Sequence, residues 1–315
     1  MKKKKILVTG GTGFIGSNIS RFLVEQGHEV TIFDNNFRGK SSRIKDIIGK
    51  VKYIHGDIRD RNLVFKSLKN IETVIHLAFI NGTRYFYEKP VDVLEVGTKG
   101  IINIIDASIK NKIKEIFLAS SSEVYQTPQK IPTDENEMLK IPNIYNPRYS
   151  YGGGKILTEL IGINYGRKFF KRMIIFRPHN VYGYDMGSEH VIPEFIKKLV
   201  GINLKKVNLK IRGTGNEIRS FIHIDDFVSA FGLIFKKGKH LEIYNIGTQN
   251  KITILNLVKL IGKILNKKIL IKKKNSFKGG TNIRCPDISK IRKLGFKEKI
   301  TLKNGLKKII DKING

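Results

Sequence analysis

The sequence predicts an α/β fold in which a doubly wound parallel sheet carries a smaller C-terminal α/β lobe. Three observations lead to this prediction. Short β-branched runs alternate with longer amphipathic stretches over the first 177 residues of the 315-residue chain. A glycine-rich loop joins the first run to the first amphipathic stretch, and the alternation becomes irregular after residue 177. Regular alternation with apolar strands is typical of a parallel sheet covered by helices on both faces.

The elements follow in order along the chain. Six short runs in the first part are predicted strands: 5–8, 29–33, 51–55, 73–76, 116–119 and 173–176. The main helices predicted between them span 14–26, 91–111 and 149–168. In the second part the helices are predicted near 191–200, 225–235, 253–265 and 302–313, and the strands near 207–211, 242–245 and 268–271. We therefore expect one domain over 1–177 and a second lobe over 178–315, with the strands near 242–245 and 268–271 mixing the two.

The loop after the first strand has the spacing of a dinucleotide-binding turn. Gly10, Gly13 and Gly16 surround the start of the predicted helix, with Phe14 and Ile15 in its first turn. Glycines allow the tight turn, and the helix N-terminus offers N–H groups to a pyrophosphate. Asp34 ends the second strand about 20 residues later, where a carboxylate binds the adenosine ribose and disfavours a 2′-phosphate. This combination predicts a Rossmann-type NAD site, whereas the alternative is an ordinary glycine turn beside a solvated aspartate.

Two further strand ends face the same edge of the predicted sheet. Asp57 and Ile58 follow the third strand, and Leu77 and Ala78 follow the fourth. Ligands of open α/β sheets bind outside the carboxyl ends of the strands. We therefore expect Asp57 to accept a hydrogen bond from the adenine amino group, and a role as N-cap of the following helix is equally compatible with its position.

A serine at a strand end and a tyrosine–lysine pair form the predicted catalytic group. Ser121 follows the fifth strand, while Tyr151 and Lys155 are four residues apart and share one face if their segment is helical. A lysine ammonium beside the phenol, together with the positive nicotinamide, would lower the pKa of the phenol, so that a phenolate could take a proton from a substrate hydroxyl. Three consecutive glycines between them cost a helix about 1 kcal/mol each relative to alanine, so a loop is the alternative. Tyr149 competes for the role but has no lysine four residues later.

With these motifs in place, the chain resembles the extended short-chain dehydrogenases/reductases of the NAD-dependent epimerase/dehydratase family, which act on nucleotide sugars. The resemblance covers nearly the whole length and includes, besides the motifs above, the segments 177–183, 219–226, 244–247 and 284–287. It implies Tyr151 as base, Lys155 on the nicotinamide ribose, Ser121 on the reacting hydroxyl and Asn35 beside the adenosine. It also implies that three side chains contact the substrate diphosphate: Asn180, Arg219 and Arg284.

Three positions depart from the family pattern. Gly97 stands where the family often has asparagine, Gln126 follows Tyr125 where glycine is usual, and the triplet 152–154 is unusual. These departures concern the local fit of the substrate more than hydride transfer.

The reaction that follows oxidation at C4 of the sugar has several possible outcomes. Return of the hydride to the other face makes a 4-epimerase and needs little beyond Tyr151 and Ser121; this outcome is slightly favoured. Glu123 favours the alternatives, a 4,6-dehydratase or a decarboxylase, with Ser122 where many dehydratases carry an acid. The simpler interpretation of Glu123 is a structural carboxylate paired with a nearby lysine. A binding protein without turnover is the non-enzyme alternative, and the intact catalytic group argues against it.

Composition narrows the classes of partner. The net charge is +32, from 59 basic and 27 acidic residues, but the lysines are scattered rather than clustered and no nucleic-acid motif accompanies them. The resemblance implies a UDP-, GDP- or dTDP-sugar as partner, and we expect no specific nucleic acid, membrane span or metal site. A single cysteine, Cys285, and the lack of a signal-peptide core favour the cytoplasm. The amphipathic stretches 91–111 and 149–168 resemble the helices through which similar enzymes pair, which implies a homodimer.

Overall fold

The computed structural model describes residues 2–187, 189–274 and 280–314. Fourteen strands are present in these ranges: β1 Lys5–Thr9, β2 Glu29–Asp34, β3 Val51–His55, β4 Thr73–His76, β5 Glu115–Ala119, β6 Arg172–Pro178, β7 Val181–Tyr182, β8 Lys206–Arg212, β9 Ile218–Ser220, β10 Ile222–His223, β11 Ile243–Ile246, β12 Lys251–Thr253, β13 Lys268–Lys274 and β14 Ile283–Arg284. The same ranges contain ten α-helices: α1 Phe14–Glu25, α2 Arg61–Ser67, α3 Thr83–Glu88, α4 Pro90–Lys110, α5 Tyr149–Phe169, α6 Val191–Val200, α7 Ile224–Lys237, α8 Ile254–Ile264, α9 Ser289–Lys293 and α10 Leu302–Asn314.

Seven parallel strands form the central sheet, in the order β3-β2-β1-β4-β5-β6-β11. The first six lie where the sequence predicts them. Five of these strands are largely buried, whereas the edge strand β3 is only partly buried. The strand order reverses between β1 and β4, so the loops after these two strands diverge and leave a crevice at the carboxyl edge. The predicted doubly wound parallel sheet is thus confirmed.

Helices cover both faces of the sheet. On one face, α1 and α7 enclose a core that includes Ile19, Phe117 and Phe231. On the other face, α4 and α5 pack over a second core that includes Ile104 and Tyr151. The segment 149–168, for which a loop was the alternative, is helical through its three glycines.

A third core marks the smaller lobe. It is built from α6, α8, α10 and the parallel pair β8–β13, with Leu199, Leu257 and Leu306 fully buried. Of the two strands expected to mix the lobes, β11 joins the central sheet beside β6. The expectation for the other strand is wrong, because β13 pairs with β8 inside the smaller lobe.

Candidate active site

A cleft opens at the crevice between β1 and β4. It consists of two adjoining cavities of about 390 and 120 Å³, which share Gly10, Gly13, Leu77 and Phe79 in their walls. The smaller cavity is also lined by five predicted cofactor residues: Asp34, Asn35, Asp57, Ile58 and Ala78. The larger one contains most of the other predicted residues: Phe14, Ile15, Gly16, Ser121, Ser122, Glu123, Tyr151, Lys155, Asn180 and Arg284.

The glycine loop is held by contacts that exclude side chains. Gly10 has a positive φ of 70°, and a methyl group on it would lie 2.8 Å from the backbone nitrogen of Ala78. A methyl group on Gly16 would lie 2.0 Å from the carbonyl oxygen of Gly10. Gly13 is the N-cap of α1, so the helix begins with backbone N–H groups at the cleft and no side chain in front of them. This arrangement fits the pyrophosphate of a dinucleotide.

The adenosine end of the cleft is organised by two aspartates. The Asp34 carboxylate accepts hydrogen bonds from the backbone N–H of Thr12 at 3.0 Å and of Asn36 at 2.8 Å, which fixes β2 against the glycine loop. Asp57 accepts hydrogen bonds from Arg59 and from the Asn35 amide. Burial opposes the ionisation of Asp57, but its bonds with Arg59 and Asn35 outweigh burial and lower its pKa.

The suggestion that Asp57 caps the next helix is wrong. Asp60 is the N-cap of α2, and its carboxylate accepts a hydrogen bond from the backbone N–H of Leu63 at 3.0 Å. Asp57 is thereby left facing the cavity, bound to Arg59 and Asn35.

Lys155 lies beneath the carboxyl end of β5. Its ammonium donates a hydrogen bond to the carbonyl oxygen of Ala119 at 2.6 Å and lies 4.1 Å from the centre of the Phe79 ring. Burial lowers the pKa of Lys155 to about 7, with Glu159 acting in the opposite direction. The ammonium is 5.9 Å from the centre of the Tyr151 ring.

Tyr151 is enclosed by aromatic side chains. Its ring stacks on Phe86 with centres 4.9 Å apart and meets Phe79 edge-on at 5.1 Å. Burial raises the pKa of Tyr151, while a hydrogen bond with Ser121 acts in the opposite direction. The expected lowering by Lys155 is therefore not present in this structure, since desolvation of the phenol dominates.

The segment after β5 brings a carboxylate to the cleft. Ser121 and Ser122 enter a 3-10 turn in which the Ser121 hydroxyl accepts a hydrogen bond from the backbone N–H of Glu123 at 3.2 Å. The Glu123 carboxylate accepts a hydrogen bond from Arg284 at 2.8 Å, and Arg148 lies 3.8 Å away. Burial opposes ionisation of Glu123, but these guanidinium groups outweigh burial and lower its pKa. The simpler interpretation of Glu123 is thus wrong in its partner, which is arginine rather than lysine.

The three predicted diphosphate contacts differ in position. Asn180 and Arg284 line the cleft, and the Asn180 amide donates to the carbonyl oxygen of Ser220 at 3.0 Å. Arg219 is not among the described residues that line either cavity. Its guanidinium donates to backbone carbonyl oxygens at 218, 281 and 282, and both burial and the charge of Arg284 lower its pKa to about 10.

A buried ion pair supports the catalytic group from behind. The Arg177 guanidinium binds both oxygens of Glu159, which also accepts a hydrogen bond from Ser120. Arg177 further donates to the Tyr125 hydroxyl at 2.6 Å. The sequence motifs include Arg177 but give no sign of its partner, since Glu159 belongs to a helix whose own pattern explains it.

Ion pairs also join the loop after β2 to the segment after β7. Arg38 binds Glu189 at 3.0 Å, and Arg43 binds Asp185 at 2.9 Å. Arg38 and Glu189 line the cleft. Sequence reasoning missed this contact because its partners are far apart in the chain and neither lies in a motif.

Comparison with known proteins identifies the family. The model of the NAD dependent epimerase/dehydratase family matches residues 6–247. The chain belongs to this family. It is accordingly an NAD-dependent enzyme of the group that comprises nucleotide-sugar epimerases, dehydratases and decarboxylases.

Individual relatives span several reactions. The chain is 32% identical to a UDP-N-acetyl-alpha-D-glucosaminuronate decarboxylase of Bacillus cytotoxicus, over 98% of this chain and 97% of that protein. It is 34% identical to a putative UDP-glucose 4-epimerase of Methanocaldococcus jannaschii, over 97% of each. The structure of a UDP-glucose 4-epimerase from Thermotoga maritima with UDP-glucose superposes with a TM-score of 0.89, at 27% identity and 98% coverage of both chains.

The described residues contain neither a membrane-spanning helix nor a cluster of metal ligands. Among the residues that the structure describes, no helix is long and apolar enough to cross a membrane. In the same ranges, no group of three or more histidine, cysteine, aspartate or glutamate side chains could hold a metal ion.

Proposed function

We propose that this enzyme oxidises C4 of a UDP-linked hexuronic acid and then releases the C6 carboxylate as CO₂. The observation that carries the proposal is the pair of Glu123 with Arg284 in the wall of the cleft. Simple 4-epimerisation has no use for such a pair. The choice of UDP and of an acidic sugar is supported by decarboxylases among the relatives, including UDP-glucuronic acid decarboxylases of Arabidopsis thaliana and Danio rerio.

Proton transfer at C4 is assigned to Tyr151. In this proposal Tyr151 takes the proton of the C4 hydroxyl and later returns it, while Ser121 donates a hydrogen bond to the same oxygen. NAD, held at the glycine loop and Asp34, would supply the hydride acceptor for C4 and a positive charge beside the phenol. Lys155 binds the nicotinamide ribose from its buried position under β5. Burial favours the neutral phenol, so Tyr151 acts as a base only where nearby positive charge offsets that effect.

Loss of CO₂ follows from the chemistry of a β-keto acid. Once C4 is a ketone, the C5–C6 bond can break and its electron pair moves toward the C4 oxygen, where Ser121 stabilises the negative charge. A proton from solvent then adds to C5, and return of the hydride to C4, together with the proton held by Tyr151, would restore the C4 hydroxyl and the oxidised cofactor. Arg148, Arg219 and Arg284 surround the single Glu123 carboxylate, so this wall carries an excess of positive charge that attracts an anionic sugar.

A second candidate is 4-epimerisation of a UDP-hexose. It is supported by the relative from Methanocaldococcus jannaschii and by the Tyr151–Ser121 pair, which suffices for that reaction. In this case Arg284 would bind only the diphosphate. We further propose that residues 1–177 hold NAD and residues 178–315 supply most contacts to the nucleotide sugar.

The test is product analysis. Purified enzyme with NAD is incubated separately with UDP-glucuronic acid, UDP-N-acetylglucosaminuronic acid, UDP-glucose and UDP-N-acetylglucosamine. The masses of the products are measured by mass spectrometry. We expect loss of the mass of CO₂ from an acidic sugar. Loss of water, or an epimer of a neutral sugar as the sole product, would contradict decarboxylation.

Replacing Glu123 tests whether the Glu123–Arg284 pair takes part in the release of CO₂. For Glu123→Gln we expect CO₂ release to fall by about 10²-fold or more, since Arg284 loses its charged partner, while C4 oxidation continues. Reduced nicotinamide, followed by its absorbance in a single turnover, then accumulates. Glu88→Gln is the control, because Glu88 is an exposed carboxylate with its own arginine partner. Equal CO₂ release by the two variants would refute a role for Glu123.

Assembly into a homodimer stays a prediction. The α4 and α5 faces leave apolar side chains exposed, with Val91 at 69%, Leu94 at 43% and Leu160 at 57% of full exposure. We propose that two copies bury these faces against each other. A monomer mass in light scattering at micromolar concentration would contradict it.

A further inference from the structure

One aromatic ring fills the space of two missing side chains. Gly97 in α4 and Gly154 in α5 both face the ring of Phe79, which follows β4. A methyl group would lie 2.4 Å from the ring tip at Gly97 and 2.9 Å from it at Gly154. Such distances are shorter than van der Waals contact, so the two glycines open a notch that the Phe79 ring occupies.

From this notch the ring touches both catalytic side chains. Its centre lies 4.1 Å from the Lys155 ammonium, a cation–π geometry, and 5.1 Å from the centre of the Tyr151 ring at an angle of 84°. Phe86 covers the other side of Tyr151. The tyrosine is thus held between two aromatic rings, and the lysine is covered by one of them.

Phe79 is more than a core residue. It is partly buried and lines both cavities of the cleft, so it stands where the two halves of the cofactor site meet. A residue that only filled space between α4 and α5 would not face the cleft on both sides.

We propose that Phe79 is a positioning residue for the reaction: its ring, seated in the notch of Gly97 and Gly154, fixes Lys155 and Tyr151 in their relative positions and keeps water from the ammonium. This rests on the roles proposed for Tyr151 and Lys155. It does not depend on whether the oxidised sugar is decarboxylated or epimerised.

The charge state of Lys155 gives a specific signature. Three titratable groups face it: Glu159 one turn along α5, His76 at the end of β4, and Tyr151. Because burial holds the pKa of Lys155 near 7, the ammonium loses its proton as the pH rises through that value. Removing the ring admits water, so the pKa of Lys155 rises and the charged form persists to higher pH.

The first experiment compares Phe79→Ala with two variants. Phe79→Leu keeps an apolar cover without a ring face, and Phe65→Ala truncates another phenylalanine packed on the same core but outside the cleft. In Phe79→Ala we expect kcat to fall about tenfold, with KM for the nucleotide sugar changed less, and the alkaline limb of the pH profile to move upward. For Phe79→Leu we expect kcat and the alkaline limb to lie between those of wild type and Phe79→Ala. Phe65→Ala should keep the wild-type pH profile. Identical profiles for Phe79→Ala and Phe65→Ala would overturn the proposal.

The second experiment tests the notch itself. Gly154→Ala alone forces the ring out of place, so we expect lower kcat and a lower unfolding temperature. In the Phe79→Ala background the same change meets no ring, so it should raise the unfolding temperature and leave kcat of that background unchanged. Equal effects of Gly154→Ala in both backgrounds would show that ring and glycine are not coupled.

A third readout does not require turnover. Labelling of Lys155 by an amine reagent, followed across pH by peptide mass spectrometry, reports its pKa directly in wild type and Phe79→Ala. An unchanged labelling curve overturns the proposal. If wild type oxidises no nucleotide sugar while the labelling curve shifts as expected, the proposed function fails but the positioning of Lys155 by Phe79 stands.

Discussion

Two helices of this enzyme begin with clustered glycines, α1 and α5, and the glycines are needed for different reasons. At α1, the atoms that a methyl group on Gly10 or Gly16 would strike belong to backbone: the carbonyl oxygen of Gly10 faces Gly16, and the backbone of Ala78 faces Gly10. At α5, the nearest atoms belong to side chains from other parts of the chain, although the backbone carbonyl oxygen of Glu123 would also lie 3.1 Å from a methyl group on Gly152. Gln126 faces Gly152, Ile141 faces Gly153 and Phe79 faces Gly154.

This difference separates requirements of the fold from requirements of one particular site. A clash with backbone cannot be relieved by a second substitution, because the close approach of the backbone segments itself forms the binding site. A clash with a side chain can be relieved, because the side chain can be truncated. The same comparison explains the departures from the family pattern. Gly97, Gly152 and Gly154 lie against two side chains, Phe79 and Gln126, that occupy the space next to them.

The largest effect is expected at the start of α1. Gly16→Ala places a methyl group 2.0 Å from the Gly10 carbonyl oxygen, so the loop must open and the pyrophosphate site with it. We expect NAD affinity to fall by about tenfold or more, with a stability loss of about 1–3 kcal/mol. Calorimetric titration with NAD measures the affinity, and thermal unfolding measures the stability. Wild-type affinity in this variant would contradict the backbone argument.

An intermediate effect is expected at Gly152. A methyl group there lies 2.6 Å from the Gln126 amide nitrogen, which donates a hydrogen bond to the Glu123 carbonyl oxygen. We expect Gly152→Ala to break this bond, loosen Glu123 and cost about 1 kcal/mol. Product formation and thermal unfolding are the measurements.

Its control is the double variant with Gln126→Ala, in which the contact with the Gln126 amide is absent and the Glu123 carbonyl oxygen, 3.1 Å from the methyl group, is the nearest remaining atom. The Gly152→Ala step should then cost less stability than it does with Gln126 present. The comparison of the two glycine clusters fails if Gly152→Ala is as harmful with Gln126 truncated as with it present.

The smallest effect, with the opposite sign, is expected at Gly153. The nearest atom to a methyl group there is the tip of Ile141 at 3.3 Å, and Ile141 is half-exposed and free to turn. Alanine in place of glycine inside a helix should therefore stabilise the protein by about 0.5–1 kcal/mol. Thermal unfolding of Gly153→Ala measures this stabilisation. We expect the turnover of the variant to be unchanged. A loss of stability would mean that α5 needs a bare backbone for a reason other than its side-chain neighbours.

Much of the fold and of the cleft lining follows from local sequence. The first six strands and the long helices could be placed because their apolar periodicity is local, and Gly10, Asp34 and Ser121 could be placed because strand ends meet at one edge. What the sequence did not predict depends on contacts between distant segments. These include the Glu123–Arg284 and Arg38–Glu189 pairs and the enclosure of Tyr151. The burial that raises the pKa of the Tyr151 phenol belongs with these contacts, since burial cannot be read from a four-residue spacing.

The position of β11 in the central sheet has a consequence during synthesis of the chain. When β6 has left the ribosome, its outer edge still has no partner, and Phe117 and Phe176 still lack the cover of Phe231 on α7. At about 5–20 residues per second, β11 follows on the order of ten seconds later. Throughout that interval the nascent protein presents an open strand edge, and until α7 is complete it also presents an uncovered aromatic face. Both are the kind of surface that chaperones bind.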